Sequence, residues 1–94
     1  MTYKDLTVWQ KADDLAFAVY TASKKFPKEE VYGITSQLRR AALSVPTNIV
    51  EGYARKGDKE LARFVSIAVG SLAETEYLLG FAQEAGISVA EGLS

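Results

Sequence analysis

Carboxylates are the side chains of this chain that could carry out acid–base chemistry. Three pairs lie close in sequence: Asp13 with Asp14, Glu29 with Glu30, and Glu74 with Glu76. General acid–base catalysis needs groups that converge on one reacting atom. Neighbouring positions on a helix instead point about 100° apart, so the members of the first two pairs diverge towards water. Glu74 and Glu76, two positions apart, diverge as well. These pairs therefore do not predict an active site.

Histidine and cysteine are both absent from the 94 residues. Their absence excludes disulfides, thiol nucleophiles, Ser-His triads and the usual zinc sites. No nucleophile or metal partner stands beside the carboxylate pairs either. The sequence therefore predicts a protein that is not an enzyme and that has no catalytic residues, no metal site and no cofactor.

Basic residues are the other group that could bind a ligand. The first 63 residues hold all eleven Lys and Arg with eight acids, and the remaining residues hold four acids and no base. Such an asymmetry can guide a polyanion to one end of a molecule, or it can arise by chance. The candidate nucleic-acid-binding residues are placed around the turn after the second predicted helix: Arg39, Arg55, Lys56, Lys59 and Arg63. Since no aromatic residues alternate with them, binding should be weak, sequence-tolerant and salt-sensitive.

Apolar residues recur at helical spacing along the chain, which predicts an all-α fold in a single domain, residues 1–94. Helices are expected at about residues 7–25, 34–54 and 59–84, with the start of a fourth near residue 89. Thr7 and Gln10 have capping-box spacing, and Asp58 is placed as the N-cap of the third helix. The expected architecture is an up-down antiparallel helix bundle whose fourth helix is truncated or missing. No apolar run approaches the ~20 residues of a membrane span, and no signal peptide is present, which favours a cytoplasmic location.

The second helix contains a proline at an internal position. Pro46 removes the backbone bond to the carbonyl of Ala42, at a cost of about 3 kcal/mol in a regular helix. We expect one continuous helix with a kink between these residues, and a break into two helices at Val45 is the alternative. The side chains of Ser44 or Thr47 could satisfy part of the freed backbone.

A line of polar residues runs along the second helix beside its apolar face, and a comparable line lies on the third. The candidate members are Arg40, Ser44, Asn48, Glu51, Ser71 and Glu74. One interpretation is a semi-buried network in which Arg40 pairs with Glu74 or Glu51 and fixes the register of the helices. A solvated polar face is the alternative.

The predicted helices carry more apolar surface than one small bundle covers. The candidate oligomer-interface residues lie outside the main apolar faces: Phe17, Leu43, Val50, Ala54, Tyr77 and Phe81. Gly70 and Gly80 each cost about 1 kcal/mol relative to alanine, which is tolerable where a neighbouring helix approaches closely. Scattered surface aliphatics are normal in monomers, but a neighbouring subunit is the cover that we predict.

Four segments carry a resemblance to a known family: LTVWQKA, FPKEEVYG, QLRRAALSVPTNIVEGYAR and LARFVSIAVGSLAETEYLL. Over about residues 3–82 the chain resembles the four-helix-bundle proteins encoded in intervening sequences of bacterial 23S rRNA genes. It is also similar to the accessory protein of diversity-generating retroelements, a basic pentamer that engages nucleic acid and a reverse transcriptase. The resemblance implies an up-down four-helix bundle that assembles into a ring-shaped homopentamer.

The family blocks fall on particular positions of this chain: Arg39, Arg40, Ala41, Ala42, Ser44, Pro46, Asn48, Ile49, Glu51, Gly52, Gly70, Ser71 and Glu74. Two departures stand out, the lack of a full fourth helix and Val50 where the family often has alanine. The resemblance supplies no reaction.

Two functions follow as expectations. The first is a non-enzymatic oligomeric adaptor, whose partners are copies of itself and another protein. The alternative is a scaffold that binds RNA or DNA through a weak basic patch repeated around the ring. No membrane partner is expected.

Overall fold

The computed structural model describes residues 1–87. It contains three long helices, α1 (Thr7–Ser23), α2 (Ile34–Ala54) and α3 (Asp58–Glu84), and two short 3-10 helices, Tyr3–Asp5 and Lys28–Glu30. The predicted all-α, up-down antiparallel bundle is confirmed for these three helices. The start of a fourth helix, expected near residue 89, lies outside the described residues.

The contacts between helices show their directions. Ser44 of α2 meets Ser71 of α3, and Gly52, further along α2, faces Phe64, which comes earlier in α3. A later residue of one helix therefore meets an earlier residue of the next, as antiparallel packing requires. The same holds for α1 and α2, since Arg39 near the start of α2 bonds Ser23 at the end of α1.

Helix α2 lies in the middle of the bundle, with α1 and α3 packed on its two sides. Its apolar face supplies five of the buried core residues, Leu38, Ala41, Ala42, Val45 and Ile49. The first three form one cluster with Val19, Phe26, Leu78 and Ala82. Within residues 1–87 the backbones of α1 and α3 do not approach each other, so the bundle is open on one side.

The residues that cap the helices differ from those predicted. Thr7 and Gln10 form no capping box; α1 follows Leu6 without a side-chain cap. The capping box belongs instead to Thr2 and Asp5, on the first 3-10 helix. Asp58 is the first residue of α3 rather than its N-cap, because Gly57 occupies that position with a φ of 109°.

The C-terminus of α3 is closed by a Schellman motif. The backbone N–H of Ile87 donates to the carbonyl of Ala82 at 2.8 Å, and that of Gly86 donates to Gln83 at 3.1 Å. Gly86 has a φ of 80°, which an L side chain rarely adopts. Ile87 then packs against the core cluster of Val19 and Leu78.

Pro46 lies inside a helix that stays continuous from Ile34 to Ala54. The break into two helices at Val45 does not occur. Two side chains bond nearby carbonyls: Thr47 Oγ1 donates to Leu43 at 2.7 Å and Asn48 Nδ2 donates to Ser44 at 2.8 Å. The pyrrolidine ring is buried, so its apolar contacts offset part of the lost backbone bond.

The buried face of α3 is narrower than its apolar sequence suggests. Its fully buried residues are Phe64, Ala68, Thr75, Leu78 and Ala82. By length and composition α3 passes as a membrane span, although the sequence analysis expected no run of that kind, and only 22% of its most apolar 18-residue stretch is buried in the chain. A long apolar helix with one side packed on α2 leaves much apolar surface facing solvent.

Candidate interaction surfaces

An apolar groove runs between α1 and α3 on the open side of the bundle. Val45 and Ile49 of α2 form its floor, and its volume is about 270 Å³. Val8, Ala12 and Leu15 line it from α1, with Lys11 as its charged residue, and Val65, Ala68, Val69 and Leu72 line it from α3. Val8 is 50% exposed and Val69 is 60% exposed. The floor residues Val45 and Ile49 are themselves buried, so the exposed apolar surface of the groove comes from its rims.

A second apolar surface lies on another side of α3, and we name it the outer stripe. It consists of Gly70, Tyr77 and Phe81, which recur at intervals of seven and four and so share one side of the helix. The exposed Glu74 lies on the same side, between Gly70 and Tyr77. The rings of Tyr77 and Phe81 have centroids 6.5 Å apart. Both are more than half exposed. Exposed aromatic rings in contact are characteristic of surfaces that bind protein.

The remaining candidate interface residues lie on the outside of α1 and α2. Phe17 is 68% exposed and Leu43 is 60% exposed. Val50 is half-buried and Ala54 is exposed. These four residues thus leave apolar surface open, and nothing within residues 1–87 covers it.

The predicted polar network is smaller than expected and lies between α2 and α3. Ser44 Oγ and Ser71 Oγ are 2.9 Å apart, and Asn48 Nδ2 donates to Ser44 Oγ at the same distance. Thr75, which lies in the same α3 face and is fully buried, donates to the carbonyl of Ser71 at 2.8 Å. The network is therefore made of short neutral side chains.

The charged members of the predicted network lie outside it. Arg40 and Glu74 are exposed and form no ion pair within residues 1–87. Glu51 pairs with Arg55, one turn along α2, at 3.2 Å. The predicted pairing of Arg40 with Glu74 or Glu51 is wrong, because these long side chains extend into water instead of across the interface.

The candidate nucleic-acid-binding residues do not form one patch. Arg39 lies 16 residues before Arg55 on α2, which separates them by about 24 Å along the helix axis. Arg39 is held at the other end of the bundle, where its Nε donates to Ser23 Oγ at 2.6 Å and its guanidinium lies 4.2 Å from the ring centre of Tyr20. Only the other four candidates surround the α2–α3 turn.

Two of the four basic residues at this turn are already engaged. Arg63 donates to Glu60 at 2.9 Å, and Arg55 lies 3.8 Å from the same carboxylate. Both guanidinium groups also lie over the ring of Phe64, at 4.4 and 5.1 Å. The hydrogen bond from Arg63, and to a lesser extent the two positive charges, lower the pKa of Glu60, while Glu60 raises the pKa of Arg63.

Lys56 and Lys59 are the remaining basic residues at the turn, and both are exposed. Lys56 has a φ of 56°, an uncommon value for a residue with a side chain. It lines a shallow cleft with Gly57, Asp58 and Leu61. Within residues 1–87 the turn therefore offers two cations without an ion pair, next to the carboxylates of Asp58 and Glu60, for contact with a polyanion.

Within residues 1–87, no group of three acidic side chains is placed to hold a metal ion. Asp14 and Glu29 are exposed, while Asp13 and Glu30 are half-buried. The chain contains no histidine or cysteine to join them.

Sequence reasoning missed the groove, because it assigned the residues that line it to the core. Val65 and Leu72 have the spacing of a buried face, and so do Val8 and Leu15. The number of helices in the bundle is what distinguishes residues that line a groove from residues that lie in a closed core. Two helices packed on a central one leave a side open that a fourth helix would close.

Comparison with curated proteins finds no match for this chain. A family model, described as 23S rRNA-intervening sequence protein, matches residues 4–93. This match spans all three helices described above and confirms the resemblance seen in the sequence. The chain belongs to the 23S rRNA-intervening sequence protein family.

Proposed function

We propose that this protein is a non-enzymatic interaction adaptor that works as an oligomer of identical chains, in the cytoplasm. The groove between α1 and α3 is the observation that carries the proposal. Its rims expose Val8 and Val69, each at least half accessible, above a floor formed by the buried core residues Val45 and Ile49. Apolar surface of this kind, on a chain of 94 residues, is typical of a protein–protein interface.

The occupant that fits the groove is the outer stripe of a second copy. The groove is bounded by helices, and an apolar helix is the element whose side chains interlock with two others. The outer stripe offers such a helix face, with two aromatic rings and a glycine that permits close approach. Because groove and outer stripe are different surfaces, their contact is head-to-tail. Head-to-tail contacts form a ring where the rotation between neighbouring copies closes, and a filament where it does not. The ring-shaped homopentamer implied by the family resemblance is the assembly that we expect.

The experiment uses one lysine substitution on each surface, with the mass in solution measured by light scattering. Val69→Lys places a charge in the groove, and Phe81→Lys places one on the outer stripe. Both residues are more than half exposed, so the three-helix fold should be retained, which circular dichroism checks. Each variant alone should be a monomer, whereas the wild type should have the mass of several chains. Thr21→Lys, at an exposed position of α1, is the matched control and should leave the wild-type mass unchanged.

Mixing the two variants distinguishes head-to-tail contact from symmetric contact. A Phe81→Lys chain keeps an intact groove, and a Val69→Lys chain keeps an intact outer stripe. Their mixture should therefore form a dimer of one chain of each kind, which cannot grow further. A monomeric wild type would overturn the proposal, and a mixture that stays monomeric would overturn the head-to-tail contact.

The adaptor role adds a second partner to the assembly. The surfaces left over after ring closure include the α1 face around Phe17 and the α2 face around Leu43, both well exposed. A partner protein would dock there. Affinity capture with wild-type protein and with Phe17→Lys tests this: a protein recovered by the first and lost by the second supports it, and recovery of nucleic acid alone contradicts it.

Nucleic-acid binding is the second candidate function, and Lys56 and Lys59 at the α2–α3 turn favour it. Two exposed lysines in one chain give a weak phosphate contact, and repetition around a ring multiplies it. Fluorescence anisotropy with a structured RNA at increasing salt is the test. Binding that falls steeply with salt and is lost in Lys56→Gln with Lys59→Gln supports this function, and no binding at low salt by the intact oligomer rejects it.

A further inference from the structure

A cleft lies beside the outer stripe, between the end of α3 and the start of α2. Its volume is about 370 Å³. Tyr77 and Phe81 of the outer stripe line it from α3 together with Leu78, and Glu30 and Gly33 line it from the segment that leads into α2. Within residues 1–87, Glu30 is the charged residue of this lining. The cleft therefore combines a mostly apolar wall with one carboxylate.

The carboxylate of Glu30 lies in this cleft without a cationic partner. Glu30 is half-buried, and its Oε1 lies 3.4 Å from the position that a Cβ on Gly33 would occupy. Gly33 precedes α2, a helix of 21 residues, and a helix dipole favours negative charge at the N-terminus. Within residues 1–87 the carboxylate forms no ion pair. It is therefore an anion that is partly withdrawn from water and open to a cation.

A long cationic side chain matches the chemistry of this lining. The stem of a lysine or an arginine can lie along apolar surface while its charged head reaches a carboxylate. The faces of aromatic rings also attract cations. The rings of Tyr77 and Phe81 are tilted by 43° to each other, with their centroids 6.5 Å apart. Because α3 carries no Lys or Arg after Arg63, the cation must come from elsewhere.

The groove carries a suitable cation. In the assembly proposed above, the groove of one copy receives the outer stripe of the next, and Lys11 is the charged residue of the groove. Lys11 is exposed and forms no ion pair within residues 1–87. Since Tyr77 and Phe81 belong both to the outer stripe and to the cleft, a groove that covers the stripe brings Lys11 close to the cleft.

We propose that Lys11 of one copy enters the cleft of the next copy and pairs there with Glu30, its stem packed against the two aromatic rings. This inference rests on the proposed head-to-tail contact and adds the charge pair that fixes its register. Glu74 is the competing carboxylate, because it lies on the same side of α3. Glu74 is exposed, whereas Glu30 is half-buried, and a charge pair that is partly shielded from water and salt is the stronger one.

The two lysine variants that can form only one contact provide the test. The Phe81→Lys chain supplies the groove, and the Val69→Lys chain supplies the outer stripe and the cleft. Calorimetric titration of one with the other measures a single dissociation constant. Lys11→Met is added to the first chain, which removes the charge and keeps the stem, and Glu30→Gln is added to the second. Each should weaken binding about fivefold, and both together should weaken it no more than either alone.

Matched controls remove a charge nearby on each chain. Lys24→Met is added to the groove chain and Glu29→Gln to the stripe chain. Both residues are exposed, and neither lines the groove or the cleft. The dissociation constant should stay at the value of the starting pair. Circular dichroism of every variant checks that the helices are retained.

The outcomes separate this inference from the proposed assembly. If the two starting variants do not associate, the head-to-tail contact is wrong and the charge pair falls with it. If they associate but Lys11→Met or Glu30→Gln binds as tightly as the starting pair, or if the two losses add in full, the charge pair alone is wrong. Coupling of Lys11→Met with Glu74→Gln in place of Glu30→Gln would also overturn it.

Discussion

Ser44 and Ser71 face each other across the α2–α3 interface, with their hydroxyl oxygens 2.9 Å apart. Asn48 donates to the same Ser44 oxygen, which connects the contact to the next turn of α2. A neutral hydrogen bond across an apolar interface is satisfied in one register only. The pair therefore sets the position of α3 along α2 as well as adding stability.

Removing the hydroxyl of Ser71 should destabilise the protein. We expect Ser71→Ala to lower the free energy of unfolding by about 1 kcal/mol relative to a matched control, because a half-buried hydrogen bond is lost. Ser66→Ala is that control, since Ser66 is exposed on the same helix and gains the same helix propensity. Urea denaturation of both variants measures the difference. Equal stability of the two variants would show that the bond contributes nothing.

A methyl group at Gly52 should also destabilise the α2–α3 contact. A Cβ built there would lie 2.7 Å from Cβ of Phe64, so one of the helices must move. The steric cost should exceed the gain in helix propensity, and we expect Gly52→Ala to lose about 1–2 kcal/mol of unfolding free energy. Gly80→Ala is the control, because nothing lies within 4 Å of its Cβ position. Denaturation that ranks Gly52→Ala at or above wild type would contradict the close contact.

The contacts of Ser71 and Gly52 between α2 and α3 show how far the sequence could predict the fold. The apolar spacing predicted three helices and their order because the period of 3.6 residues is local. It could not identify the buried face of α3, because apolar residues surround that helix and its partner decides which of them are covered. Thr75 is fully buried for this reason, although its chemistry favours the surface.

The candidate sites illustrate a different restriction. Arg39 and Arg55 belong to one helix in the sequence, but the helical rise places them about 24 Å apart. The groove between α1 and α3 depends on the fold in the same way, since its lining residues are far apart in the sequence and only the packing of the helices brings them together.

Substitution of Gly70 should change the stability of the single chain and the strength of its association in opposite directions. Nothing lies within 4 Å of a Cβ built at Gly70, so Gly70→Ala should stabilise the single chain by about 1 kcal/mol through helix propensity. In the assembly the added methyl should prevent close approach at the outer stripe and weaken association. Thermal unfolding at low concentration and light scattering over a dilution series measure the two effects. Stronger or unchanged association would place Gly70 outside the interface.

Glu60 should give the stability of the protein a small acid-sensitive component. Hydrogen bonding from Arg63 lowers the pKa of this carboxyl below its usual 4.5. The folded state thus favours the ionised form, so the stabilisation is present above about pH 4.5 and is lost as the pH falls through the lower folded-state pKa. The Glu60→Gln variant has no carboxylate, so it should lack this stabilisation of the folded state even at neutral pH. The gap in melting temperature between wild type and variant should therefore be largest near pH 6 and should shrink towards about pH 3. The control is Glu74→Gln, because Glu74 is exposed on the same helix and has no ion pair within residues 1–87. Its difference in melting temperature from the wild type should change less with pH. If the difference in melting temperature between wild type and Glu60→Gln instead grows as the pH falls, Arg63 does not stabilise the ionised carboxylate.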